Sequence, residues 1–289
     1  MSKTNPKKAP LWRRFLPGRW REPKPVVGVL RLAGAIGAVT PLKPGLTLHD
    51  LDESIEKVFE LKALRAVALQ INSPGGSPVQ SAQIFRRIRE LAEENEIPVY
   101  AFAEDVAASG GYMLALAGDE IYADSSSIIG SIGVISSGFG FVKAIEKLGI
   151  ERRVYTAGEK KMSLDPFAPE SKDDIERLKA LQLDVHETFI NMVKERRGAR
   201  LTDEDIFTGE FWSGEKAKAL GLIDGLADMR SFMREKFGEN VKIKPVGGEK
   251  SWLKRKLGFA ANSPVMPQGW AEDLISAAET RNLWSRYGL

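Results

Sequence analysis

Apolar positions along the first 160 residues change their period repeatedly, and each change marks an element. VVGVLRLAGAIG (26–37) is a β-branched run closed by glycines and predicts a core strand. In TLHDLDESIEKVFELK (47–62) the period becomes helical, with Leu48, Leu51, Ile55, Val58 and Phe59 on one face and Thr47 or Asp50 as the cap. LRAVALQIN (64–72) predicts a second buried strand. It ends in SPGGSP (73–78), and a helix follows over QSAQIFRRIRELAEEN. IPVYAFAE (97–104) predicts a third strand, after which AASGGYMLALAG opens another helix. DEIYAD (119–124) and SIIGSIGVIS (127–136) read as short strands, FVKAIEKLG as a helix and ERRVYTAG (151–158) as a strand.

This alternation of strand and helix predicts an α/β fold with a mostly parallel sheet built from βαβ units and covered by helices. Residues 170–198 predict one long helix with Leu178, Leu181, Val185, Phe189, Met192 and Val193 on its buried side. GEFWSGEKAKALGLIDGLAD (209–228) reads as a turn, a helix and a glycine stop, and VKIKPV (241–246) as a last strand. The chain therefore divides into a basic tail (1–25), an α/β domain (26–246) and an extension (247–289) with Trp252, Trp270 and Trp284, suited to packing or assembly.

Composition narrows the chemistry. The 289 residues are 43% hydrophobic and 28% charged, as a folded chain with a sizeable core requires. There is no cysteine, which excludes disulfides, thiolate metal sites and a cysteine nucleophile. His49 and His186 are the only histidines, too few for a histidine-rich metal centre. No cofactor or metal is expected. A nucleophile must be Ser, Thr, Lys or a carboxylate, and with only two histidines the base need not be histidine.

Residues 1–25 hold eight basic residues and one acid, so the net +3 conceals a net acidic remainder. LWRRFLPGRWR interleaves Trp12, Phe15, Leu16 and Trp20 with arginines. That composition suits an anionic membrane surface; a solvated basic arm is the plain alternative, and a nucleic-acid arm a weaker one. No apolar run of signal length follows the basic start, and no stretch approaches the ~20 apolar residues of a membrane span. The expectation is a cytoplasmic protein resting on the inner membrane through this tail.

Two glycine turns carry the candidate chemistry. SPGGS follows a core strand. Gly75 and Gly76 let the backbone approach a ligand and aim N–H groups at one spot, as an oxyanion hole requires, although an ordinary turn has the same composition. AASGGY follows the next strand. Consecutive strands of a parallel sheet end on one edge, so Ser109 and Gly110 should lie near Gly75 and Gly76. There Ser109 stands at a helix N-terminus, where free N–H groups favour developing negative charge; it reads equally as a helix N-cap. Lysine can replace histidine as base when burial lowers its pKa by several units from ~10.4. YTAGEKKMSLDPF (155–167) offers Lys160 and Lys161, and the local residues do not choose between them. His186, mid-helix beside Glu187, reads as a solvated residue.

INSPGG (71–76), AEDVAASGGYMLA (103–115), SSSIIGSIGVI (125–135), YTAGEKKMSLDPF (155–167) and FWSGEKAKALGLID (211–224) occur in an order that resembles signal peptide peptidase A and its relatives. These are serine proteases with a Ser/Lys dyad on a ClpP/crotonase-like fold. The resemblance covers roughly residues 26–245. It implies Ser109 as nucleophile and Lys161 as base, since Gly158 and Pro166 both select Lys161 over Lys160. It also implies that Ser131 orients the lysine and that Gly76 and Gly110 supply the oxyanion N–H groups, with Gly75 in the same turn. Peptide substrates, short and apolar such as signal-peptide remnants or unfolded segments, and a ring-shaped homo-oligomer are implied too. Many members have an N-terminal membrane anchor and some are double-length; this chain reads as a single unit without such an anchor. Three other readings share the fold. A crotonase-type acyl-CoA enzyme would place a carboxylate near the thioester, where Glu104 and Asp105 are close. A Clp proteolytic subunit would need a histidine base, and a non-proteolytic membrane-associated scaffold would need neither Ser109 nor Lys161.

Overall fold

The computed structural model describes residues 23–37, 45–158, 160–202, 205–247, 281 and 283–288. Most of the basic tail and of the extension from 248 on lies outside the described residues. The elements run β1 (Val26–Ala33), α1 (Leu48–Phe59), β2 (Leu64–Ser73), α2 (Pro78–Asn95), β3 (Val99–Ala108), α3 (Gly110–Ala115), β4 (Glu120–Ala123) and β5 (Ile128–Gly130). They continue with α4 (Val142–Lys147), α5 (Lys172–Arg197), β6 (Phe211–Ser213), α6 (Gly214–Ala219), β7 (Gly225–Leu226), α7 (Met229–Phe237) and β8 (Lys242–Val246).

The strands form one sheet in the order β6-β5-β3-β2-β1-β8, with β4 also on β3 and β7 on β4. Every ladder is parallel except β5–β6. A parallel sheet needs cover on both faces, and strand alternation supplies it. Leu30 and Leu32 of β1 join Leu69, Ile71, Ile55, Val58, Ile84 and Ile88 in the larger core under α1 and α2. Val27 and Val29 point the other way, with Ala66, Ala68, Tyr100 and Phe102, onto Met229 and Met233 of α7. The α1 cap is Thr47, whose side chain accepts from the Asp50 N–H.

Strand β3 shares one edge between two partners. Tyr100–Ala103 pair with β4 and Val106–Ala108 with β5. Between them its register against β2 slips, from Ile71 opposite Ala103 to Ser73 opposite Ala107. The Asn72 side chain bridges the bulge: its Nδ2 donates to Asp105 Oδ2 at 2.7 Å, and its Oδ1 accepts from the Val106 N–H at 3.3 Å. Ser127 Oγ donates to the Glu104 carbonyl at 2.6 Å on the other side. A bulge bends its strand, and here it redirects the end of β3, which leads straight into Ser109.

Four expectations change. The strand expected over 127–136 is confined to Ile128–Gly130, because β6 pairs with those three residues alone. Residues 151–158 form no strand; they run exposed, and no described strand pairs with them. The long helix is present, but of its apolar residues only Phe189 and Val193 are buried, and Leu181 is 59% exposed. Its C-terminal end packs on the body, fixed by buried Arg197, which donates to the Gly221 carbonyl from both Nε and Nη2 and to Asp224 Oδ2 at 2.7 Å from Nη1. Finally, α7 is an additional helix in the span between the expected glycine stop and the last strand.

Candidate active site

Ser109 occupies the junction of β3 and α3 with φ 53° and ψ −124°. That conformation is costly for a residue with a Cβ, of order 1–3 kcal/mol, and persists only where the surroundings impose it. They do so through the backbone. The Ser109 N–H donates to the Gly130 carbonyl at 2.8 Å, and its own carbonyl accepts from Tyr112 and Met113. Its side chain makes no capping hydrogen bond. The N-cap reading therefore describes the position of Ser109 and not the work of its hydroxyl, which lines a cleft of about 720 Å³.

The glycine turn lies against it. A Cβ on Gly75 would meet Gly110 N and Ser109 Cβ, and Gly75 has φ +99°. The Gly75 N–H is engaged by Ser73 Oγ at 3.2 Å, and its carbonyl accepts from Ile36 at 2.9 Å. The Gly75 N–H is thus engaged within its own turn, and what Gly75 contributes there is close approach. Gly76 lines the cleft with φ +143°, pressed so closely on the Ile36 carbonyl that no Cβ fits. Among the described residues the N–H groups of Gly76 and Gly110 have no hydrogen-bond partner. Helix α3 presents its first turn to this spot, and its buried Tyr112 anchors it by donating to the Leu222 carbonyl at 2.7 Å. Burial raises the Tyr112 phenol above its ordinary pKa.

Ser131 reaches the same cleft from the turn after β5. It is 5% exposed, has φ 54°, and its N–H donates to the Glu210 carbonyl at 2.6 Å. Its hydroxyl accepts from Tyr287 at 3.3 Å. His186 of α5 also lines the cleft and bonds the Ile132 carbonyl through Nε2 at 3.0 Å. A carbonyl only accepts, so Nε2 carries the proton and a neutral ring leaves Nδ1 as an acceptor. Its place on a helix with no local motif gave no sequence signal for this.

Lys161 stands apart. It is exposed in a turn closed by its own N–H on the Gly158 carbonyl, and it does not line the cleft. Lys160 is exposed too. The structure thus brings Ser109, Gly76, Gly110 and Ser131 together and leaves the lysine on an outlying segment. Among the described residues no cluster of His, Asp or Glu has the makings of a metal site.

A family model described as peptidase family S49 matches residues 92–242, a span that contains Ser109, Ser131 and Lys161. The chain belongs to peptidase family S49. Among relatives outside this chain, a Brucella abortus (strain 2308) protein named Na(+)/H(+) antiporter NhaA is 54% identical over 287 residues, 96% of this chain and 39% of that protein. A putative signal peptide peptidase SppA of Enterococcus faecium is 31% identical over 59% of this chain and 49% of its own length. The serine protease SPPA, chloroplastic, of Arabidopsis thaliana is 33% identical over 70% of this chain and 31% of its own length. The chain thus spans less than half the length of each of these relatives.

Proposed function

We propose that this chain is a serine endopeptidase that cuts short, extended, apolar or unfolded peptides, with Ser109 as nucleophile and Lys161 as general base. The Ser109 hydroxyl carries the reading: it is held at a strained strand-to-helix turn, makes no capping bond, and lies near two backbone N–H groups without partners. Lys161 Nζ takes the Ser109 proton as Oγ attacks a peptide carbonyl carbon. The carbonyl oxygen becomes an oxyanion, stabilised by the N–H groups of Gly76 and Gly110. The C–N bond then breaks, the ammonium returns its proton to the leaving amine, and water hydrolyses the acyl-enzyme by the same route.

A lysine acts as base at neutral pH only where burial disfavours its charge, and Lys161 is exposed on the single chain. Its segment is also unusually apolar on the outside. Phe139, Leu148 and Tyr155 are 80%, 72% and 90% exposed, and α4 buries no residue. Such a surface calls for a partner. We assign that partner to a second copy, so that assembly both covers the segment and carries Lys161 to a Ser109–Ser131 pair, in a homo-oligomer. No helix among the described residues is long and apolar enough to cross a membrane. The basic, aromatic tail and the antiporter name of the Brucella relative support work at a membrane surface.

The exposed lysine also favours a second reading, a non-proteolytic scaffold of the same fold, and one experiment separates them. Hydrolysis of a fluorogenic apolar peptide is measured for wild type, Ser109→Ala, Lys161→Ala and Lys160→Ala, and for a refolded mixture of the Ser109 and Lys161 variants. Wild type and Lys160→Ala should cut, both dyad variants should be inactive, and the mixture should regain activity. A folded wild type that cuts nothing supports the scaffold; an inactive Lys160→Ala beside an active Lys161→Ala moves the base by one residue.

A further inference from the structure

Residues 283–288 border the serine cleft. Leu283 and Arg286 form part of its lining beside Ser109 and Ser131. Tyr287 is 7% exposed, its ring edge-on to Phe211 with centroids 5.1 Å apart at 75°. Trp284 packs with it onto Val106 and Ala108, the last turn of the strand that delivers Ser109. The Tyr287 hydroxyl donates to Ser131 Oγ at 3.3 Å. That bond is long for two hydroxyls, so ring burial anchors the segment more than the hydroxyl does.

Two consequences follow for the site. Leu283 and Arg286 wall the cleft that a peptide must enter to lay its carbonyl over Ser109. The Ser131 hydroxyl, which a lysine amine would have to reach, already accepts a hydrogen bond from Tyr287. Both contacts come from one segment and would be lost together.

We propose that residues 283–287 are an autoinhibitory strap, seated in the cleft by Tyr287 and Trp284 and displaced when an apolar peptide with an aromatic side chain takes the Tyr287 cradle. The proposal rests on the peptidase reading for its consequence, though not for its geometry.

The chain has no cysteine, so Ser109→Cys makes a single thiol reporter inside the cleft. The rate of its alkylation by a bulky aromatic maleimide is measured alone and combined with Tyr287→Ala or Tyr287→Phe. The strap predicts at least a tenfold faster reaction with Tyr287→Ala and less than a threefold change with Tyr287→Phe, which keeps the ring. A synthetic peptide of residues 281–289 should slow the Tyr287→Ala reaction again, which an unfolded variant would not allow. Equal rates in all three proteins, or no protection by the peptide, overturn the strap. In the Ser109 chain, Tyr287→Ala should raise kcat/KM for an apolar peptide at least fivefold. Faster labelling with no hydrolysis in any variant upholds the strap and removes the peptidase reading; hydrolysis with unchanged labelling does the reverse.

Discussion

The Cβ that Gly75 lacks would stand 2.8 Å from the Cβ of Ser109 and 2.8 Å from the amide nitrogen of Gly110. The glycine turn and the nucleophile turn are therefore fitted to each other, and the fit is backbone against backbone. Gly75→Ala must move one of the two turns and also strains a residue at φ +99°. Overpacking of this kind costs ~1–3 kcal/mol. The expected outcome is a folded protein with a lower Tm and at least a ~100-fold loss of peptidase kcat, the scale of losing one oxyanion donor. An unchanged kcat would mean that the two turns adjust freely and that their contact is not what sets the oxyanion geometry.

Strain at Ser109 can be read from stability. Ser109→Ala and Ser109→Gly both remove the hydroxyl and should both be inactive. They differ in backbone: alanine keeps the cost of φ 53°, ψ −124°, and glycine does not. Glycine gains more entropy in the unfolded chain, which offsets part of the relief, ~0.4–1 kcal/mol. Ser109→Gly should remain more stable than Ser109→Ala by about 1 kcal/mol in urea unfolding. A Ser109→Gly less stable than Ser109→Ala by the entropy offset alone would show that the turn carries no stored strain.

What was legible in the sequence follows from how local each cause is. The β1-α1-β2-α2-β3 unit shows in the apolar periods because both faces of those strands are buried, one by the neighbouring α1 and α2 and the other by the distant α7. Ser109 and its glycines show because a tight turn between buried elements admits few residue types. The β3 bulge does not show, since it depends on Asn72 reaching a strand over thirty residues away. Residues 151–158 have strand-like composition, but a strand needs a ladder partner, and none of the described residues supplies one. Leu178, Leu181 and Val185 mark an apolar face on α5 that the body of this single chain does not bury, so periodicity recognised a surface without identifying what covers it. Helix α7 had a readable signal: Asp228 as cap, then Met229, Phe232 and Met233 at helical spacing.

Arg197 fastens α5 to the loop after α6 from inside the protein. Its guanidinium is buried, with two donors on the Gly221 carbonyl and one on Asp224, whose Oδ2 also accepts from the Ile121 N–H of β4 at 2.7 Å. Removing one member of a buried pair costs ~3–5 kcal/mol; Asp224→Ala strands the buried Arg197 charge, whereas Arg197→Ala leaves Asp224 only the more exposed Arg200, 3.3 Å from its Oδ1. Arg197→Ala should therefore destabilise far more than its loss of packing implies, while Arg197→Ala with Asp224→Ala should cost clearly less than the two single changes added. Additive losses in urea denaturation would show that the pair is not coupled and that the carbonyl contacts dominate.

Asp228 ties stability to pH at the start of α7. Its carboxylate accepts from the Ser231 N–H at 2.8 Å, and that backbone hydrogen bond, with the helix N-terminus behind it, holds its pKa below the ordinary carboxylate value. A depressed folded-state pKa means that the folded protein holds its proton less tightly than the unfolded chain does. The stabilisation is then fully present above the unfolded value, near ~3.9, and is lost as pH falls through the lower folded value. Asn at this position still caps but carries no charge. Asp228→Asn should lower Tm by a few degrees at pH 7, for a charge–helix term of ~0.3–1 kcal/mol in a domain of this size. Below pH 3 the gap between the two proteins should shrink towards zero. A gap that stays constant from pH 7 to pH 2.5 would assign the difference to cap geometry and remove the carboxylate charge from the stability of α7.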